Sequence, residues 1–159
     1  MTLLDTETNR AVPVEEVAAL LVDVVPLVMR SMRREMRRAV PVELSVPQFR
    51  ALTFLNRHSG ASLSDLAGHL GLTPPSASKL VDGLVERGLV GRDTPPDDRR
   101  RVTLTLTEAG RSDLARAREV TVAHLSRQLQ SLSAGERERL VGAMLALQQV
   151  FESDCKGDR

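Results

Sequence analysis

With 159 residues and a formal net charge of +1, the chain has the size of one domain, or of one compact module plus an oligomerisation element. A hydrophobic content of 42% beside 27% charged residues is ordinary for a globular protein, and no apolar run approaches the roughly 20 residues a membrane span needs. Asp5 and Glu7 argue against a secretory leader, and a single cysteine, Cys155, excludes an internal disulfide framework, so the expected compartment is the cytoplasm.

The first predicted element is a helix from Val14 to Val40. Its apolar positions Val17, Leu21, Val24, Val28, Met32 and Met36 recur at three- and four-residue steps. Pro26 falls inside it and predicts a kink one turn upstream. The basic run Arg30 to Arg38 along the same helix reads either as a solvated face or as a holder of phosphate or an anionic effector. A second helix opens at Ser45, with Gln48 as its capping-box partner, and carries Phe49, Leu52, Phe54 and Leu55.

From Leu63 to Leu72 the pattern is that of two crossing helices joined by a tight turn. Leu63, Leu66, Leu70 and Leu72 surround Ala67, and Gly71 supplies the turn. The second of these helices begins at Thr73, whose side-chain oxygen is expected to cap N–H groups two or three residues on. Pro74 and Pro75 occupy first-turn positions, where a missing N–H costs nothing. Leu80, Leu84 and Val85 are expected to face the core, while Ser76, Ser78 and Lys79 point outward near the N-terminal end, where a recognition helix meets a major groove. The bland alternative is an ordinary pair of packed helices.

Gly88 then ends the helix, Leu89 to Arg92 reads as a short strand, and Val102 to Leu106 alternates as its antiparallel partner. The turn Asp93 to Arg101 (DTPPDDRRR) carries Arg99, Arg100 and Arg101 at its tip. Guanidinium groups there suit the negative potential of a narrow minor groove, although a charge run on a loop also serves simply as a solvated surface. Beyond it, Thr107 caps a long helix from Glu108 to about Leu132, and Ser133 with Glu136 opens a last helix ending near Phe151, whose Leu140, Ala143, Met144, Leu147 and Val150 form one face. The tail from Glu152 is expected to fray. Apolar stripes at both ends exceed what one winged module could cover, so packing against a symmetry mate is expected.

The run LVDGLVERGLVGRDTPPDDRRRVTLTLTEAG, from Leu80 to Gly110, resembles the signature of MarR-type winged-helix transcriptional regulators. The likeness extends through nearly the whole chain. It implies a mainly α fold with a small β-wing: an N-terminal dimerisation helix (residues 1–44), a winged helix-turn-helix DNA-binding domain (45–107), and C-terminal dimerisation helices with a tail (108–159). It further implies a homodimer on a palindromic operator in double-stranded DNA, usually repressing until a small ligand, an oxidant or a metal intervenes.

On these grounds the expected DNA contacts are Thr73, Pro75, Ser76, Ser78, Lys79, Arg99, Arg100 and Arg101. Arg92 and Asp98 are expected to structure the wing; by the resemblance Asp98 holds the loop and Arg100 enters the minor groove. Bulk charge offers no support, because between Ser62 and Leu106 the acids match the bases in number. Placement carries the reading instead: Asp82 and Glu86 lie further along the recognition helix, whereas Lys79 and the wing arginines stand at the two contact points.

The effector is less legible. The family commonly holds small aromatic or phenolic acids between its dimerisation helices and winged module, and Met32, Met36, Phe54, His58 and Arg111 could line such a space; simple core or surface roles compete at each. A redox trigger through Cys155 is the alternative, but the resemblance would put a sensing cysteine near the N-terminus, where this chain has none. His58, His69 and His124 stand singly without metal-ligand spacing, so no metal is expected. Nucleophile elbows and phosphate-cradling glycine loops are missing, so neither an enzyme nor a cofactor is expected. A winged-helix interaction module without DNA binding remains the rival from another class.

Overall fold

A computed structural model describes residues 12–37, 44–93 and 102–157. It contains six helices and three short strands among those residues: α1 (Val14–Met36), α2 (Val46–Arg57), β1 (Ala61–Ser62), α3 (Leu63–Leu70), α4 (Pro74–Glu86), β2 (Val90–Asp93), β3 (Thr103–Leu106), α5 (Glu108–Leu129) and α6 (Ala134–Gly157). The fold is mainly α with a small antiparallel sheet, as expected. The chain divides into two compact units, residues 1–31 and residues 32–159.

In the first unit α1 continues through Pro26, and its valines and leucines from Val14 to Val28 are largely exposed. The last residues expected in this helix, Ala39 and Val40, lie outside the described residues. Within the second unit, the final turn of α1 is well anchored. Met36 is buried, and the Glu35 carboxylate reaches the His124 ring at 3.1 Å and Arg127 at 3.7 Å, both on α5.

The core of the second unit forms around α2. Ser45 and Gln48 close the expected capping box, each side chain bonding the other's backbone N–H. That helix then buries Ala51, Leu52, Phe54 and Leu55 against α3, α5 and β3. Leu52, Leu55, Leu66, Val81, Leu84 and Leu104 are fully enclosed, and each large side chain so enclosed contributes about 1.5–3 kcal/mol.

On α4 the buried face is Ala77, Val81 and Leu84. Leu80 and Val85, expected in the core, are only half-buried. The true stripe steps by four and then three residues from Ala77, a small residue that lets α4 approach its neighbours closely.

The sheet order is β1-β3-β2, with Ala61 opposite Leu104 and Asp93 opposite Thr103. Leu104 and Leu106 point into the core while Thr103 and Thr105 stay half-exposed, the period-two alternation legible in the sequence. Strand β1 had no such signal. Two residues cannot show a period, and only pairing with β3 makes a strand of them.

Thr107 ties the sheet to the long helix. Its hydroxyl donates to Gly88 O (2.7 Å) and accepts from Gly110 N–H (3.0 Å), and its own N–H donates to Leu89 O (3.2 Å). Helix α5 ends at Leu129, a little short of the expected Leu132. Helix α6 continues to Gly157 rather than fraying at Glu152, since nothing between Glu152 and Lys156 breaks a helix.

At Gly110 an added Cβ would sit on the Leu89 carbonyl and 3.0 Å from Leu106 Cδ1. Backbone cannot yield as a flexible side chain does. We expect Gly110→Ala to cost at least about 1–3 kcal/mol in urea unfolding; unchanged stability would mean that α5 does not start against this corner.

Candidate nucleic-acid interface

The helix-turn-helix is built from local signals. Ser62 and Asp65 form a reciprocal capping box at the start of α3, with Asp65 N–H donating to Ser62 Oγ (3.1 Å) and Ser62 N–H to Asp65 Oδ2 (3.0 Å). Its S-x-x-D spacing stands in the sequence, but the sequence reading passed over it. Gly71, at φ 66°, then turns the chain: Leu72 N–H donates to Ala67 O and Gly71 N–H to Gly68 O, the Schellman pattern. The same two bonds recur at the far end of α4, from Leu89 N–H to Leu84 O and from Gly88 N–H to Val85 O.

Thr73 occupies the N-cap of α4 but does not cap as expected. Its hydroxyl donates to Ser76 Oγ at 2.9 Å, and no side-chain cap bond to the backbone forms. Pro75 removes the donor at the second helical position, and Ser76 keeps its N–H at the third, but the Thr73 hydroxyl is turned to the Ser76 side chain instead.

With 3.6 residues per turn, burial of Ala77, Val81 and Leu84 turns Pro75 and Lys79 to the opposite, outward side, followed along the helix by Asp82 and Glu86. Thr73, Pro74, Pro75, Ser76 and Lys79 are exposed and Ser78 is half-buried. The outward face is therefore graded. Its first two turns combine the positive end of the helix dipole with the Lys79 ammonium, and its last two carry acids. The start of α4 is thus its electropositive end, and Arg87 follows Glu86 at the C-cap. Ser76, Lys79, Leu80 and Gly83 also border an open groove completed by Leu72 and, from α2, Pro47 and Gln48.

The acid at Asp82 has a partner that sequence reasoning missed. Arg92 Nη2 on β2 meets Asp82 Oδ1 at 2.6 Å, both side chains partly exposed. A wing-structuring role was expected for Arg92; the structure supplies its counterpart on the recognition helix. Nothing in the spacing of residues 82 and 92 announces this pair, because it depends on how β2 turns back along α4. Thr103 and Thr105 hydroxyls donate to Asp93 O (3.2 Å) and Asp93 Oδ2 (3.5 Å), closing the base of the hairpin. Asp98, Arg99, Arg100 and Arg101, together with the rest of residues 94–101, lie outside the described residues.

The residues expected around an effector have mixed positions. Met36 and Phe54 are core, and Met32 is half-buried. His58 and His69 both stack on the Phe54 ring, at centroid distances of 4.6 and 4.5 Å, so these two histidines are not isolated as the sequence suggested. Partial burial against that ring holds the His69 pKa below its ordinary value, and Arg50, His58 and Arg57 add repulsion in the same direction. Arg111 lies elsewhere, held by Glu108 (2.9 Å) and by Leu106 O (2.9 Å) at the first turn of α5.

A model of the MarR family matches residues 44–102, from just before α2 to the edge of β3. YfiV, an uncharacterized HTH-type transcriptional regulator of Bacillus subtilis (strain 168), is 30% identical over 115 residues, covering 72% of this chain and 72% of that one. The chain belongs to the MarR family of DNA-binding transcriptional regulators. Solved structures agree: RV1404 from Mycobacterium tuberculosis superposes with a TM-score of 0.75 at 27% identity, over 89% of this chain and 95% of that one. The transcriptional repressor CouR bound to a 23-mer DNA duplex gives 0.67 at 29% identity, over 86% and 97% of the two chains. CouR from Rhodococcus jostii RHA1 bound to p-coumaroyl-CoA gives 0.66 at 28%, over 86% and 92%. Among the described residues no helix is long and apolar enough to cross a membrane.

An exposed ion pair adds only about 0–1 kcal/mol to stability, so we expect the Asp82–Arg92 contact to matter for the aim of the wing. Asp82→Asn should leave thermal unfolding nearly unchanged but lower several-fold the ratio of specific to competitor-DNA affinity, read by anisotropy. A ratio equal to wild type would separate Asp82 from wing placement.

Proposed function

We propose that this MarR-family chain works as a homodimeric repressor occupying a palindromic promoter operator. The observation that carries this reading is the graded outward face of α4: Pro75, Ser76 and Lys79 exposed at its start, acids confined to its end, and β2 and β3 paired alongside. Lys79, Thr73, Ser76 and Ser78 meet phosphates and base edges from the major groove, and the arginines at 99–101 reach the flanking minor groove, with Arg100 leading. Symmetry supplies the second half-site. Support for a dimer comes from exposed apolar side chains on α6, namely Val141, Met144, Leu145, Val150 and Phe151, and on α1, which a lone subunit leaves in water.

Release by a small effector is part of the same reading. CouR is known both with DNA and with p-coumaroyl-CoA, which favours an aromatic acid or its thioester as the class of ligand here.

Fluorescence anisotropy with the duplex upstream of the chain's own gene tests the DNA reading. Affinity should fall steeply with salt, and Lys79→Ala should weaken binding about uniformly across sequences while reducing the salt slope by about one. No preference over competitor DNA would return the chain to the class of interaction modules.

Leu145 is 55% exposed in a single subunit, so a charge there costs the isolated fold little. Leu145→Asp should dissociate the dimer in sedimentation velocity and leave the helical circular dichroism intact. A full-strength dimer would remove α6 from the seam.

A further inference from the structure

The side chains of α4 restrict which bases it can recognise. Apart from Lys79, whose ammonium can donate to guanine O6 and N7, its sequence, PPSASKLVDGLVE, contains no arginine, asparagine or glutamine, the other side chains that hold guanine or adenine by paired hydrogen bonds in the major groove. Lys79 offers a single ammonium at the boundary of the groove shared with Pro47 and Gln48. Further along, the outward side carries Asp82 and Glu86 rather than hydrogen-bond donors, so the apolar surface open to a base edge lies in the first turn.

That first turn has a definite chemistry. Pro74 and Pro75 are exposed at the first two helical positions, and Pro75 points directly away from the buried Ala77–Val81–Leu84 face. Their rings are rigid, apolar and without N–H, so they lose no side-chain freedom on binding and can satisfy no polar base edge. Beside them, Ser76 Oγ already accepts the Thr73 hydroxyl at 2.9 Å, which leaves the Ser76 O–H to donate outward. An apolar ring next to a hydroxyl donor complements one base above the others. Thymine presents a methyl group beside its O4 acceptor, whereas cytosine presents an N–H donor and no methyl, and the purines present no methyl at all.

We propose that α4 reads thymine: the Pro74 and Pro75 rings pack on thymine methyl groups, and the Ser76 hydroxyl donates to the O4 acceptor at the same step. This rests on the DNA-binding reading above and adds the base class to it. The preference then comes from shape and methyl burial, and each subunit applies it at one or two steps of its half-site.

The test uses the full chain. A random-sequence duplex pool is enriched by binding, and the winning duplex is remade with deoxyuridine replacing thymidine one position at a time, which removes the methyl and keeps the base pair. Loss of one buried methyl should weaken binding about fourfold at the contacted position. In Pro75→Gly or Pro74→Gly, whose folding is verified by thermal unfolding, thymidine and deoxyuridine at that position should bind alike.

The proposal is overturned if deoxyuridine is neutral at every position of an enriched site, or if its effect persists undiminished in both variants. It is equally overturned if the sensitive positions are guanines revealed by 7-deazaguanine. A pool that shows no enrichment at all instead refutes the DNA-binding reading on which the proposal stands, so the two failures are distinguishable.

Discussion

The corner at Thr107 joins everything that reads to everything that lies beyond the winged module. One hydroxyl serves two masters, donating to Gly88 O at 2.7 Å and accepting from Gly110 N–H at 3.0 Å, while the Thr107 N–H holds Leu89 O. Gly88 and Leu89 end α4; Gly110 opens α5. The end of the recognition helix, the root of the wing and the start of the long helix are thus referenced to a single side chain, with Gly110 lacking a Cβ so that the approach can be this close. The start of α5, the end of α4 and the root of β2 are therefore joined by short, directional bonds.

Around that corner the chain separates its charges with care. The net charge of +1 gives no general attraction to DNA. Positive charge gathers at the start of α4, from the dipole and Lys79, and the acids Asp82 and Glu86 follow along the same face. The Asp82–Arg92 pair turns one of those acids into a brace between helix and wing at 2.6 Å.

The outer helices obey a different logic. Half-buried Glu35 and His124, with exposed Arg127 and buried Met36, anchor the last turn of α1 on α5. Among its described side chains, residues 134–152, helix α6 buries none and half-buries only Leu140 and Leu147. Its contacts with the rest of the chain are few, the Arg57–Glu152 ion pair at 3.6 Å among them. Its apolar side chains Val141, Met144, Leu145, Val150 and Phe151 stand exposed.

Much of this was legible in residue order, because the signals are local. Caps at Ser45 and Thr107, the left-handed turn at Gly71, the prolines opening α4 and the alternation of Thr103 to Leu106 each depend on bonds a few residues long, and with the Leu80 to Gly110 run they determined a winged helix-turn-helix and its family. Tertiary structure alone decided the rest. It made a strand of Ala61–Ser62 by laying it on β3, paired Asp82 with Arg92, brought His58 and His69 onto one phenylalanine ring, and diverted the Thr73 hydroxyl from the backbone to Ser76. It also chose Val81 over Leu80 and Val85 for the core. In each case several apolar or polar candidates were equally available along the chain, and the choice was made by which neighbour packing brought within reach.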